Sequence, residues 1–125
     1  MFSESQAATV LELGAHVGHC TRVLAQLFGS VIAVEHSAHV LAVNVNHTQD
    51  LANIVHLRFH SVLDNWDIFA NSRISVVFID AAHDYHSVRN DIERSLALPS
   101  VHTLVLDDYG AERGVRDAVT AMIKE

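Results

Sequence analysis

Short apolar runs alternate with helical patterns along the chain. Thr9–Leu13 is predicted as a first strand. A helix over 18–28 follows, with Val23, Leu24, Leu27 and Phe28 recurring at i, i+1, i+4 and i+5, and Gly29 suits its stop. Val31–Val34 is the second strand. Ser37 suits the N-cap of a helix reaching about Asn53, with Val40, Leu41, Val43, Val45 and Leu51 as its apolar residues. Val55–Phe59 is the third strand and Asp64–Ala70 a short helix. Ile74–Ile79 is the fourth, and its run Val76-Val77-Phe78-Ile79 is apolar on both faces, as a buried parallel strand requires. A helix over Asp84–Leu98 is closed by Pro99, Val101–Leu106 is the fifth strand, and a last helix covers 112–123. Strands alternating with helices predict an α/β fold with a doubly wound, mainly parallel sheet of about five strands. No linker or repeat divides residues 1–125, which read as a single domain.

Size and composition narrow the class. The 125 residues are enough for a real core, and a half-apolar chain with one proline does not read as disordered. The apolar runs are too short to span a bilayer, and the N-terminus lacks a basic, then apolar, leader. No membrane partner is expected. The single cysteine, Cys20, allows no internal disulfide and suits a reducing cytoplasm. Eight basic residues against fifteen acidic ones give a net charge of −7 with no basic stripe. That balance argues against a nucleic-acid partner and for a neutral or cationic small molecule.

The chemistry begins at Val10-Leu11-Glu12-Leu13-Gly14-Ala15-His16-Val17-Gly18-His19-Cys20-Thr21. A strand runs into a glycine turn and a helix, and Glu35 ends the next strand, 21 positions after Gly14. This is how an open parallel sheet holds an adenosine-containing cofactor. A dinucleotide would need a third glycine for its pyrophosphate. Here His16 stands two positions after Gly14 and would crowd a phosphate, while Glu12 would repel it. The turn instead suits a ligand without phosphate and with a positive centre. An NAD or nucleotide-sugar protein is the rival that this spacing disfavours.

A second constellation follows the fourth strand: Asp80-Ala81-Ala82-His83-Asp84-Tyr85. The fifth strand ends in Asp107-Asp108-Tyr109. Acids at the carboxyl ends of such strands face the ligand crevice, so Asp80, Asp107 and Asp108 are expected at one rim. Gathered carboxylates repel one another, and a divalent cation such as Mg²⁺ would relieve that repulsion. A zinc site from Asp80, His83 and His86 lacks a supporting cysteine pair. Of the ten histidines, His39, His47, His56 and His102 read as surface or strand-edge residues. Cys20, on the first turn of its helix, has the position for a lowered pKa but no base beside it.

The segment Glu12–Gly18 resembles the first motif of class I S-adenosylmethionine-dependent methyltransferases. The following Cys20-Thr21 resembles the small residue and Ser/Thr of O-methyltransferase branches. The resemblance implies that Gly14, Ala15, His16 and Gly18 wrap the methionine part of S-adenosylmethionine, with Glu12 near its amino group. It implies Glu35 on the ribose hydroxyls, His36 beside the adenine, and His60 and Ser61 at the adenine edge. The Asp-x-x-His-x-Tyr segment resembles a metal-dependent subgroup acting on hydroxyls of small molecules. That implies Asp80, Asp107 and Asp108 as Mg²⁺ ligands, Asp80 also at the cofactor, and Asp80 and His83 as catalytic residues, His83 accepting the proton. Relatives usually carry helices before the first strand and two antiparallel strands after the fifth, and neither is found here. A reduced cofactor-binding module without turnover is therefore the alternative. A homodimer covering the exposed fifth strand is a further expectation.

Overall fold

A computed structural model describes residues 7–80 and 84–107. Its sheet has five strands: β1 (Thr9–Leu13), β2 (Ser30–Glu35), β3 (Ile54–Arg58), β4 (Ile74–Ile79) and β5 (Thr103–Leu106). Their order is β3-β2-β1-β4-β5, and every neighbouring pair is parallel. The chain thus winds outward from β1 to β3, then returns to β1's other side and winds out through β4 and β5. The point where the winding reverses lies between β1 and β4, and crevices for ligands open at the carboxyl ends of strands there.

Strand alternation divides the core into two layers. Leu11 and Leu13 of β1 join Val34, Val77 and Ile79 on one face. That face is covered by Val88 and Ile92 of α3 (Tyr85–Leu96) and by Phe59, Trp66 and Phe69. The three aromatic rings meet edge to face at 5.0–5.9 Å, and a 3₁₀ turn at Trp66–Phe69 presents two of them. On the other face Val10, Val31 and Ala33 pack with Leu24 of α1 (His19–Leu27). By the same alternation Glu12 leaves β1 on the α1 side, fully buried. Asp84 caps α3 by accepting from the Ser87 amide at 3.0 Å. Ser37 caps α2 (Ala38–His47) by accepting from Val40.

The predicted architecture is the observed one. Strand ends move by one or two residues, and the short helix narrows to the 3₁₀ turn. The second helix, expected to reach about Asn53, stops at His47. Three side chains account for the early stop. Thr48 Oγ1 donates back to the Asn44 carbonyl at 2.9 Å. Asp50 is drawn to Arg22 of α1, and Asn53 donates to the carbonyls of Ala25, Phe28 and Gly29 at the end of α1. The segment after α2 is thereby tied to α1. The expected final helix over 112–123 lies outside the described residues. No helix among the described residues is long and apolar enough to cross a membrane.

Gly18 opens α1 at φ +108°, a left-handed conformation that side chains rarely adopt. A Cβ there would meet Asn44 Oδ1 at 3.1 Å and Thr48 Cγ2 at 3.3 Å. Gly18→Ala is therefore expected to destabilise the protein by roughly 1–3 kcal/mol, from backbone strain and crowding against α2. Urea unfolding checks this, and a variant as stable as wild type would show that the turn gives way freely.

Candidate functional site

The turn between β1 and α1 is bound inward before any ligand arrives. The amides of Gly14 and Ala15 both donate to the Val34 carbonyl, at 3.1 and 2.9 Å. The His16 amide donates to Glu35 Oε1 at 3.2 Å, and the Ser37 amide donates to Glu35 Oε2 at 2.9 Å. Three successive turn amides are thus spent on β2. A pyrophosphate needs such amides pointing outward, so the turn is ill-suited to a dinucleotide.

Glu35 is only 4% exposed, with each oxygen held by a backbone N–H. Each oxygen keeps acceptor capacity toward the cleft. His16 adopts φ +52°, and its ring crosses the cleft. Its Nε2 is 2.9 Å from the Asp80 carbonyl and 3.8 Å from Asp80 Oδ2, while Nδ1 is 3.7 Å from Glu35 Oε1. The ends of β2 and β4 are thus joined through this side chain. The Asp80 amide donates to the Leu13 carbonyl and the Asp107 amide to Ile79, setting both acids at the same end of the sheet.

Beneath the turn lies a buried polar chain. Thr21 Oγ1 donates to Glu12 Oε1 at 2.6 Å. Asn44 Nδ2 donates to Thr21 Oγ1 and to the carbonyls of Ala15 and His16, at 3.0–3.2 Å. Asn44 Oδ1 lies 2.9 Å from His56 Nε2, which also approaches Thr48 Oγ1. Asn44, Thr21 and Thr48 are fully buried, so each needs these partners. Burial pushes the Glu12 carboxyl up to about 7, against the lowering effect of its Thr21 and Cys20 donors. The Cys20 thiol goes up to about 12, through burial first and the neighbouring Glu12 second. Its place on a helix's first turn does not make it reactive, because an acid rather than a base stands beside it.

Two cavities open beside the turn. Leu13, Gly14, Glu35, Ser61 and Ser87 are among the residues lining one. Arg58, Leu63 and Asp64 help line the other, and both share His36, Phe59 and His60. The His36 and His60 rings face each other edge-on at 5.6 Å. The Ser61 carbonyl is fixed by Trp66 Nε1 and by Asn90 Nδ2 of α3. Behind it Asp91 is fully buried, and its Oδ2 has no hydrogen-bond partner among the described residues. Burial raises the Asp91 pKa.

Of the residues expected at a site, the structure brings Gly14, Ala15, His16, Gly18, Glu35 and Asp80 around the turn and sets His36, His60 and Ser61 in the cavity walls. Glu12 lies under the turn and lines neither cavity. His83 and Asp108 lie outside the described residues. Among the described residues no group of three or more His, Cys, Asp or Glu is placed to hold a metal ion. Asp80 and Asp107 do not by themselves make such a group. Tyr85 packs on the core and its hydroxyl accepts from Arg89.

Asn44 escaped notice because it sits among valines in a helix read for its apolar residues. Its signal was the stripe Leu41, Asn44, Thr48, spaced three and four, which puts two polar side chains on the inward face. His56, read as an edge residue without a role, is a partner of that stripe.

Comparison with known proteins now has geometry to meet. Residues 11–109 match a family model described as a methyltransferase domain. An rRNA methylase from Streptococcus thermophilus superposes with a TM-score of 0.72 at 17% identity, over 96% of this chain and 70% of that one. A putative rRNA methylase from Clostridium thermocellum gives 0.70 at 17%, over 94% and 73%. Phosphoethanolamine N-methyltransferase 1 of Haemonchus contortus, solved with phosphoethanolamine and S-adenosylhomocysteine, gives 0.64 at 20%, over 82% of this chain but 23% of its own. No curated protein sequence matches. With the family model covering most of its length, the chain belongs to the methyltransferase-domain family, and its sheet is the class I, S-adenosylmethionine-dependent form.

The exclusion of a nucleic-acid partner does not survive this comparison. Two of these similar folds are named as rRNA methylases. The error lay in reading a whole-chain sum of −7 as a property of one surface, whereas docking depends on the local field.

The buried acid makes a prediction about stability. Burial holds the pKa of folded Glu12 at about 7, above its ordinary value of 4.5. The folded state therefore holds more protons between those values, and stability falls as pH rises through that window. Glu12→Gln is expected to be more stable than wild type at pH 8, by roughly 1–3 kcal/mol, with the gain vanishing near pH 4.5. Urea unfolding of both proteins across that range decides it; a pH-independent difference would mean that folding leaves the Glu12 pKa unshifted.

Proposed function

We propose that the chain transfers the methyl group of S-adenosylmethionine to a hydroxyl oxygen. The observation that carries the cofactor half is Glu35. It is a buried carboxylate at the end of β2, fixed through both oxygens, at the wall of a cavity and next to a turn whose Gly14, Ala15 and His16 amides are engaged with β2. In this reading Glu35 accepts from the two ribose hydroxyls, the adenine lies against His36, His60 and Ser61, and the methionine part follows the turn toward Asp80. The sulfonium then faces the rim formed by Asp80 and Asp107. The methyl passes in line from sulfur to the acceptor oxygen, helped chiefly by positioning. His83 is the residue of the Asp-x-x-His-x-Tyr segment assigned to take the hydroxyl proton.

Two acceptor classes have support. The resemblance of that segment to small-molecule O-methyltransferases favours a small hydroxyl compound. The two rRNA methylases that superpose on nearly the whole chain favour an RNA nucleoside. Transfer of labelled methyl to catechols, to sugars and to ribosomal RNA transcripts, each with Mg²⁺ or with EDTA, separates them. Label on RNA alone would set the small-molecule reading aside, and equal rates with EDTA would remove the metal from the reaction. Cofactor binding without label on any acceptor would favour a binding module.

Glu35→Ala is expected to weaken S-adenosylhomocysteine binding by roughly 1–3 kcal/mol, the usual loss of hydrogen bonds to a charged group. Calorimetric titration measures it; unchanged affinity would remove Glu35 from the site.

A further inference from the structure

At the carboxyl end of the sheet, acids outnumber bases to an unusual degree. Glu12, Glu35, Asp80 and Asp107 are gathered there by β1, β2, β4 and β5. Among the described residues His16 pairs with Glu35 and Asp80, and His36 with Glu35. Two arginines pair with acids elsewhere, Arg22 with Asp50 and Arg89 with Glu93.

Glu12 is the member most removed from water, at 1% exposed. Its two side-chain donors, Thr21 and Cys20, are both neutral. Thr21 is in turn backed by Asn44, so its single proton is committed to Glu12 whatever the carboxyl's state. The charged or titratable groups that face Glu12 are few. They are His16 from the turn, Cys20 from α1 and Asp80 from the end of β4, while Asp107 acts on Cys20. No lysine or arginine of the described residues is among them.

A carboxyl so placed has a proton to give up when a cation arrives, because nearby positive charge favours its ionised form. We propose that binding of the cofactor's amino-acid end at the turn, with its ammonium group toward Glu12, expels a proton from Glu12 to solvent. The proposal rests on the cofactor reading above. It also makes Glu12 a positioning residue that acts through charge from beneath the turn, rather than by lining the cavity.

The linkage has a sign and a size. With the free carboxyl half-protonated near pH 7, binding releases about half a proton there and almost none at pH 9. Affinity then rises with pH, about tenfold from pH 6 to pH 8, and levels off above.

The test is calorimetric titration of the whole chain with S-adenosylhomocysteine at pH 7 in buffers of different ionisation enthalpy, which counts protons released. The expected result is about half a proton for wild type, none for Glu12→Gln, and a release no smaller than wild type's for His16→Asn, which removes a group that lowers the Glu12 pKa. 5′-Methylthioadenosine, which lacks the amino-acid end, is expected to bind without releasing a proton. Release that persists in Glu12→Gln but disappears in His16→Asn would overturn the proposal in favour of His16. Equal release with methylthioadenosine would overturn it too, as would wild-type binding with no release. Absence of wild-type binding would instead sink the cofactor reading. Should Glu12→Gln fail to fold, carboxyl ¹³C NMR of wild type reads the same group directly. A Glu12 midpoint that falls on adding S-adenosylhomocysteine supports the proposal, and one that stays put overturns it.

Discussion

The site hangs on the side-chain amide of Asn44. One buried group, projecting from α2, donates to two carbonyls of the glycine turn and to the hydroxyl of Thr21, while its oxygen meets His56 on β3. Four separate pieces of the chain, the turn, α1, α2 and β3, are thereby held at one point where no water is available to substitute. The turn's shape is consequently decided by its neighbours as much as by its glycines. Gly18 is required because Asn44 and Thr48 stand where a Cβ would go. A buried polar network of this kind has little tolerance for partial loss, since each member stripped of a partner bears the full cost of desolvation.

Two buried carboxylates flank that network and are treated differently. Glu35 accepts from backbone amides of the turn and of the residue capping α2. Both of its oxygens are thereby fixed in place at the cavity wall. Glu12 has a hydroxyl and a thiol instead, in deeper burial, and holds its proton to near neutrality. His16 completes the arrangement by bridging toward Asp80, so that the ends of β2 and β4 communicate across the crevice where the winding of the sheet reverses.

The strands were legible because buried parallel strands leave continuous β-branched and aliphatic runs; Thr9–Leu13 and Ile74–Ile79 fall where the pattern puts them. The end of α2 was not, because what halts it is the pull of Arg22 and of the α1 C-terminus on side chains past His47, and neither is a local signal. The glycine turn and Glu35 could be picked out by spacing. Asn44 and His56 could not be assigned a role that way, since most of their partners are 8 to 29 positions off in the chain. Net charge misled in the opposite direction, because a sum over all residues says nothing of how charge is distributed once the chain is folded.

By itself the sequence determined the class of fold and the identity of the groups at the crevice. Alternating apolar runs and helical stripes admit few topologies, and strand ends in such sheets converge on one rim. Only the tertiary structure decided the state of those groups. Whether a glutamate is a solvated anion or a buried acid depends on the depth and polarity of what packs around it. Those are set by contacts between α1, α2 and the sheet that no local pattern encodes.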